Sequence, residues 1–183
     1  MSYLAKISTW KNIGIVALVY FAYLFLVMTS FGNTEAVNLG PLDLLFAYTP
    51  EMAFEHLNSF GEDGRIAYAK MSRIADTIYP IIYTTLFILL ISRLIMIIWP
   101  KKPNMQKLAL IPMFAFIFDL LENGFIRAMI KQFPSINDQT ANLSSLFTSL
   151  KWSSVGVVFF AVLCLLVIVI LQKLGHHKNR KSP

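Results

Sequence analysis

Four long apolar runs, the third of them carrying charges, decide what this chain can become. They extend from about Ile13 to Ser30, Ile78 to Trp99, Leu108 to Ile130 and Leu150 to Leu171. A helix rising about 1.5 Å per residue needs roughly 20 apolar residues to cross a hydrocarbon core about 30 Å thick. In that medium an unpaired backbone amide is too costly for any open or irregular chain to replace a helix. Composition agrees: 56% of the residues are hydrophobic, only 14% are charged, and mean hydropathy is +0.61. Soluble domains carry nearly twice that charged fraction. The expected fold class is therefore all-α, a four-transmembrane-helix bundle occupying residues 1–183 as a single integral membrane domain, with a basic tail over 172–183.

The distribution of charge sets the expected topology. Lys6 and Lys11 precede the first run, Pro100-Lys101-Lys102-Pro103 joins the second to the third, and His176-His177-Lys178-Asn179-Arg180-Lys181 follows the fourth. Positive loops stay cytoplasmic, so both termini are expected inside. The outer loop, 31–77, holds Glu35, Asp43, Glu51, Glu55, Glu62 and Asp63. Read as a signal peptide, the first run is too long and its cleavage signal near Ser30-Phe31-Gly32 is poor, so it is expected to remain as a span. The net charge of +6 flanks apolar runs rather than forming a nucleic-acid-reading module, and no nucleic-acid partner is expected. Cys164 is the single cysteine, which removes intramolecular disulfides and Cys/His metal spacing. Short loops without cysteine pairs suit a bacterial cytoplasmic (inner) membrane.

Within the outer loop, Thr49-Pro50-Glu51 reads as an N-cap, a first-turn proline and an acidic first turn, and Gly61 reads as the stop. Ala53, Phe54, Leu57 and Phe60 share one face of this short amphipathic helix, expected to lie along the outer surface or to cap the bundle. His56, on the same helix, is expected to be solvated. A second helix is expected to begin near Glu62-Asp63-Gly64 and to run straight into the second span, leaving Arg65, Lys70 and Arg73 outside the membrane.

Polar residues at membrane depth are expensive and normally face a bundle interior. Arg65, Tyr68, Ser72, Asp76, Tyr79 and Tyr83 follow one another at spacings of three or four, which draws a single polar seam along the second helix. Pro80 lies in that seam and has no N–H for the carbonyl of Asp76, which should be free for a ligand or a neighbour. On the third helix Asp119, Glu122 and Asn123 share a face, followed by Arg127. Pairing with Arg73 or Arg127 would make the carboxylates tolerable. The fourth helix opens with Lys151, Trp152, Ser153, Ser154 and Gly156, polar or small residues that allow close helix contact. Tyr20 and Tyr23 are candidates to line the same space, under a roof formed by 49–60.

The combination Gly64-Arg65-x-x-Tyr68, Asp76-x-x-Tyr79-Pro80 and Asp119-x-x-Glu122-Asn123 resembles a group of small uncharacterised bacterial four-helix integral membrane proteins with a D-x-x-E-N motif. The likeness spans the outer loop through the third helix and implies the four-helix fold without implying an activity. A weaker similarity is to sterol isomerase-like membrane proteins, which place acidic residues inside a bundle; their histidine and glutamate arrangement is missing here.

The functional expectation is a polar pocket open to the outer side that binds a membrane lipid or another amphiphilic small molecule. Asp76, Asp119, Glu122 and Asn123 would carry it, Arg65, Arg73 and Arg127 would balance charge, and Tyr68, Tyr79 and Tyr83 would line or orient the ligand. A second reading makes Asp119 and Glu122 the acid and base of an enzyme acting on a lipid-soluble substrate. A third makes the chain a structural or accessory subunit, a homo-oligomer or the companion of another membrane subunit. No metal site and no cofactor are expected.

Overall fold

The computed structural model describes residues 3–31 and 40–179, and within them the side chains of 3–27 and 40–175. Every regular element among them is helical. A short helix α1 (Tyr3–Ile7) turns into α2 (Trp10–Phe31). The elbow is fixed locally: Ser8 Oγ donates to the Leu4 carbonyl at 2.7 Å, Asn12 Nδ2 to the Ile7 carbonyl at 2.7 Å, and the Asn12 N–H to Thr9 Oγ1 at 3.2 Å. After a single 3-10 turn at Leu42–Leu44 comes α3 (Pro50–Ser59). Its N-cap is Thr49, whose hydroxyl accepts from the Met52 N–H, and Pro50 fills the first helical position. The Thr49 hydroxyl also bonds the carboxylate of Glu51 and, with that residue's own N–H, holds it below the usual carboxylate range. Gly61 has φ 64°, a left-handed conformation that a residue without Cβ adopts most cheaply, and it marks the junction with α4.

Helix α4 (Gly61–Ile98) is continuous from the polar segment into the apolar one and passes through Pro80 without a break. The third apolar run divides. Residues Pro103–Leu110 wind as 3-10 helix, and α5 (Pro112–Gln132) starts only at Pro112, where a missing N–H costs nothing. Helix α6 (Asp138–Asn179) is the last described element. Among the described residues, four helical stretches are long and apolar enough to cross a membrane: Trp10–Val27, Gly61–Ile98, Pro103–Gln132 and Asp138–Gly175. The expected charges beyond Gly175, and Glu35 in the outer loop, lie outside the described side chains.

The bundle is layered along its axis. At one end Leu42, Tyr48, Ala53, Leu57, Tyr68, Ile126, Met129 and Ala141 form an apolar core. At the other end Ile91, Leu94, Ile95, Ile98, Ala109, Val158, Val162 and Val169 form a second. Between them α4, α5 and α6 contribute Ser72, Thr84, Asp119, Glu122, Asn123, Thr148 and Lys151, all buried. Helix α2 is peripheral. It leaves Leu18, Phe21, Phe25 and Leu26 more than half exposed, a surface that suits hydrocarbon and not water.

Candidate functional site: a buried polar layer

The charge in this layer is held by one short ion pair. Glu122, on α5 and fully buried, places Oε2 2.6 Å from Lys151 Nζ on α6. The other carboxylate oxygen, Oε1, accepts from the Thr148 hydroxyl at 2.6 Å. Lys151 in turn donates to the main-chain carbonyl of Asp43 at 3.0 Å, beside Trp152 Nε1, which reaches the same oxygen at 3.0 Å. Residues 148, 151 and 152 share a face at helical spacing, so one side of α6 supplies all three donors.

One turn away on α5, Asp119 also has both oxygens engaged. Its Oδ2 accepts from the Tyr83 hydroxyl at 3.0 Å and its Oδ1 from Asn123 Nδ2 at 2.9 Å. Asn123 spends a second N–H on the carbonyl of Asp76, at 2.8 Å. That carbonyl is the one Pro80 leaves without its helical donor, so a side chain from α5 supplies what the proline removed. Asp76 itself differs from its neighbours: its side chain makes no hydrogen bond or ion pair among the described residues, and its buried Oδ2 has no partner. Asn123 Oδ1 and Ser72 Oγ are likewise buried and unpaired.

The tyrosines connect this layer to α2. Tyr20 and Tyr79 bring their hydroxyls within 3.2 Å, and Tyr23 donates to the Ala75 carbonyl at 2.8 Å. Tyr79 stacks on both rings of α2 and meets Tyr83 edge-on at 5.2 Å. Both α2 tyrosines therefore join the seam, as their positions implied.

A strap formed by residues 42–48 closes the end of the layer. Tyr68 accepts from the Leu42 N–H and donates to Asp43 Oδ1, both at 3.1 Å. The Tyr48 N–H donates to Ser145 Oγ at 2.9 Å and its hydroxyl to Ser144 Oγ at 2.7 Å. Burial pushes the Tyr48 phenol up to about 12. The residues that reach down to the layer are thus Asp43 and Tyr48, upstream of the expected 49–60 roof. Helix α3 packs above them through Ala53 and Leu57. His56 is buried, not solvated: Nε2 lies 2.5 Å from the Gly40 carbonyl and its ring meets Phe60. The Gly40 carbonyl gives the imidazole a partner there, so its burial leaves that ring nitrogen satisfied.

The arginines take other places than charge pairing with the acids implied. Arg73 is exposed on α4. Arg65 lies over the Phe133 ring at 3.9 Å and donates to the Leu57 carbonyl. Arg127 donates to the Ser72 carbonyl at 2.9 Å. None of the three forms an ion pair with Asp76, Asp119 or Glu122 among the described residues; the cation that does so is Lys151. Its position four residues after Phe147 and three after Thr148 already put it on the inner face, and a lysine at membrane depth is itself an anomaly. Asp43 and Tyr48 carried no such signal, because a main-chain carbonyl or a loop hydroxyl has no periodicity. Among the described residues no group of three or more His, Cys, Asp or Glu side chains is placed to hold a metal ion. A surface hollow lined by Pro50, Glu51, Phe54, Pro134 and Asp138 lies on the far side of α3 and involves none of the layer's carboxylates.

Comparison with protein-family models, with curated proteins and with solved structures found no match to this chain.

Proposed function

We propose that this is an integral membrane protein, with both termini in the cytoplasm of a bacterium and α3 on the outer side, that binds the polar end of a lipid or another amphiphilic small molecule at Asp76. The observation that carries this reading is the pattern of unmet hydrogen bonds. Asp119 and Glu122 have their oxygens engaged by Tyr83, Asn123, Thr148 and Lys151. Among the described residues Asp76 Oδ2 and Asn123 Oδ1 have no hydrogen-bond partner, and a buried unpaired acceptor costs about 1–3 kcal/mol, more if charged. Both are acceptors, so the complementary group is a donor: a hydroxyl or an ammonium. The ligand enters sideways, between α2 and α4, because the 42–48 strap occupies the end of the bundle and α2 is the least embedded helix. Tyr20 and Tyr79 stand at that seam and orient the ligand as it enters.

The test is native mass spectrometry of the full chain released from nanodiscs, wild type against Asp76→Asn and Asp119→Asn. Wild type retains an amphiphile bearing a hydroxyl or amine, Asp76→Asn loses it, and Asp119→Asn retains it. A wild-type protein that is empty, or whose bound molecules ignore Asp76→Asn, overturns the proposal and leaves the layer as a helix-locking network or a contact for a partner subunit.

A further inference from the structure

At the opposite end of the bundle, away from the polar layer, Arg93 is a cation with no anion among the described residues. It sits on α4 roughly 8 Å before the helix ends at Ile98, at the α-helical rise. Its buried Nε has no hydrogen-bond partner, and the guanidinium forms no ion pair among the described residues. The guanidinium faces the Trp10 ring, 5.8 Å from Cζ to centroid, and that indole is itself half exposed. No rearrangement of nearby side chains can supply the counter-charge. Every aspartate and glutamate of the chain lies between residues 35 and 138, and 77–118 contains none. The elements around Arg93 are α1, the start of α2, the 103–110 segment, the first turns of α5 and the second half of α6, and all are free of acid. The nearest carboxylate along the packing is that of Asp119, bonded to Tyr83 roughly 15 Å further along α4. Lys6, Lys11, Lys101, Lys102 and Lys107 add positive charge at the same end.

We propose that Arg93, with Trp10 against its face, binds the phosphate of an anionic membrane lipid. No acidic side chain of these elements can supply the anion, and a planar guanidinium is matched to phosphate oxygens. The position fits: an arginine near a helix end reaches the headgroup level, where tryptophan also concentrates. The segment that frames it is held in place, with Ser92 Oγ donating to Gln106 Oε1 at 2.7 Å and Gln106 Nε2 returning to the Ser92 carbonyl at 3.2 Å. The lysines supply a diffuse attraction to anionic lipid; Arg93 supplies the fixed contact.

The experiment uses the delipidated full chain in mild detergent, titrated with phosphatidylglycerol or phosphatidylcholine and read by native mass spectrometry. Wild type is expected to hold one phosphatidylglycerol at least about tenfold more tightly than phosphatidylcholine, the factor a charge-assisted hydrogen bond contributes. Arg93→Gln abolishes that preference, Arg93→Lys weakens it, and the double change Lys101→Gln/Lys102→Gln preserves it. Because Arg93→Gln can also disturb folding, Trp10→Leu, at a half-exposed site, provides an independent arm and lowers the preference as well. Equal retention of the two lipids by wild type, or an undiminished preference in folded Arg93→Lys and Trp10→Leu proteins, overturns the proposal. Displacement of the bound lipid by millimolar inorganic phosphate identifies a free-phosphate site and overturns the assignment to lipid.

Discussion

Lys151 and Glu122 face each other from α6 and α5 at 2.6 Å, with side chains 8% and 0% exposed. They tie together the two helices that make up the rear of the layer. A pair this deep is not an economical source of stability, since desolvating both ions offsets much of their attraction. Its consequence is asymmetry under mutation. Lys151→Met leaves a buried carboxylate alone and should cost roughly 3–5 kcal/mol, whereas Lys151→Met/Glu122→Gln should recover most of it. Denaturant unfolding in mild detergent measures both. Additive losses in the two single variants and the double would show that the ions do not act as a pair.

The carbonyl of Asp76 offers a second coupled test. Pro80 withholds the helical N–H and Asn123 Nδ2 replaces it at 2.8 Å. In the native sequence, Asn123→Ala strands that carbonyl as well as Asp119 Oδ1, with an expected cost of about 2 kcal/mol or more. Pro80→Ala restores an amide to α4 and removes part of the need. The cost of Asn123→Ala should therefore fall by about 1 kcal/mol in the Pro80→Ala background. An unchanged cost would mean that Asn123 matters only through Asp119.

These two residues also show how far sequence reasoning reaches. The four apolar runs correspond to four long helices because hydrocarbon leaves the backbone no alternative. The spacing of Asp76, Tyr79 and Tyr83 placed them on one face, and a proline's missing N–H identified the orphan carbonyl without any coordinates. Periodicity could not choose the partner. Arg127 and Lys151 are both cations near the layer; Arg127 shares α5 with Glu122, and whether Lys151 meets Glu122 depends on the rotation of α6 about its axis, set where its Ala141 and Val158 enter the two apolar cores. The 42–48 strap was invisible for a related reason: it acts through the Asp43 carbonyl and the Leu42 N–H, groups that every residue possesses. His56 was misjudged because its polarity was weighed without the Gly40 carbonyl, which only the folded loop brings within reach.

The strap should loosen when its clasp is removed. Tyr68 holds the Leu42 N–H and Asp43 Oδ1 at once, and phenylalanine keeps the ring while losing both bonds. Tyr68→Phe should destabilise by about 1–3 kcal/mol and raise amide hydrogen exchange across 42–48, while exchange in 91–98, at the other end of α4, stays at its native rate. Uniform acceleration along the whole helix would show that Tyr68 supports the bundle and not the strap.

Tyr48 gives the strap a signature in pH. Its phenol titrates near 10 in an unfolded chain and is pushed up to about 12 in the fold, chiefly by burial and also by the negative charge of Glu122 and Asp43. Below pH 10 both states keep the proton and the shift has no effect. Between pH 10 and 12 the unfolded state releases it first, so stability falls as pH rises, by at most ~1.4 kcal/mol per pH unit. Above the folded value both states are ionised and the loss levels off. Tyr48→Phe cannot ionise; it forfeits the bond to Ser144 at every pH but escapes the alkaline penalty. The difference in stability between Tyr48→Phe and wild type should thus be constant up to pH 10 and shift in favour of the variant above it. A difference that stays flat into the alkaline range would mean that the Tyr48 hydroxyl is reached by solvent and that the strap is open in solution.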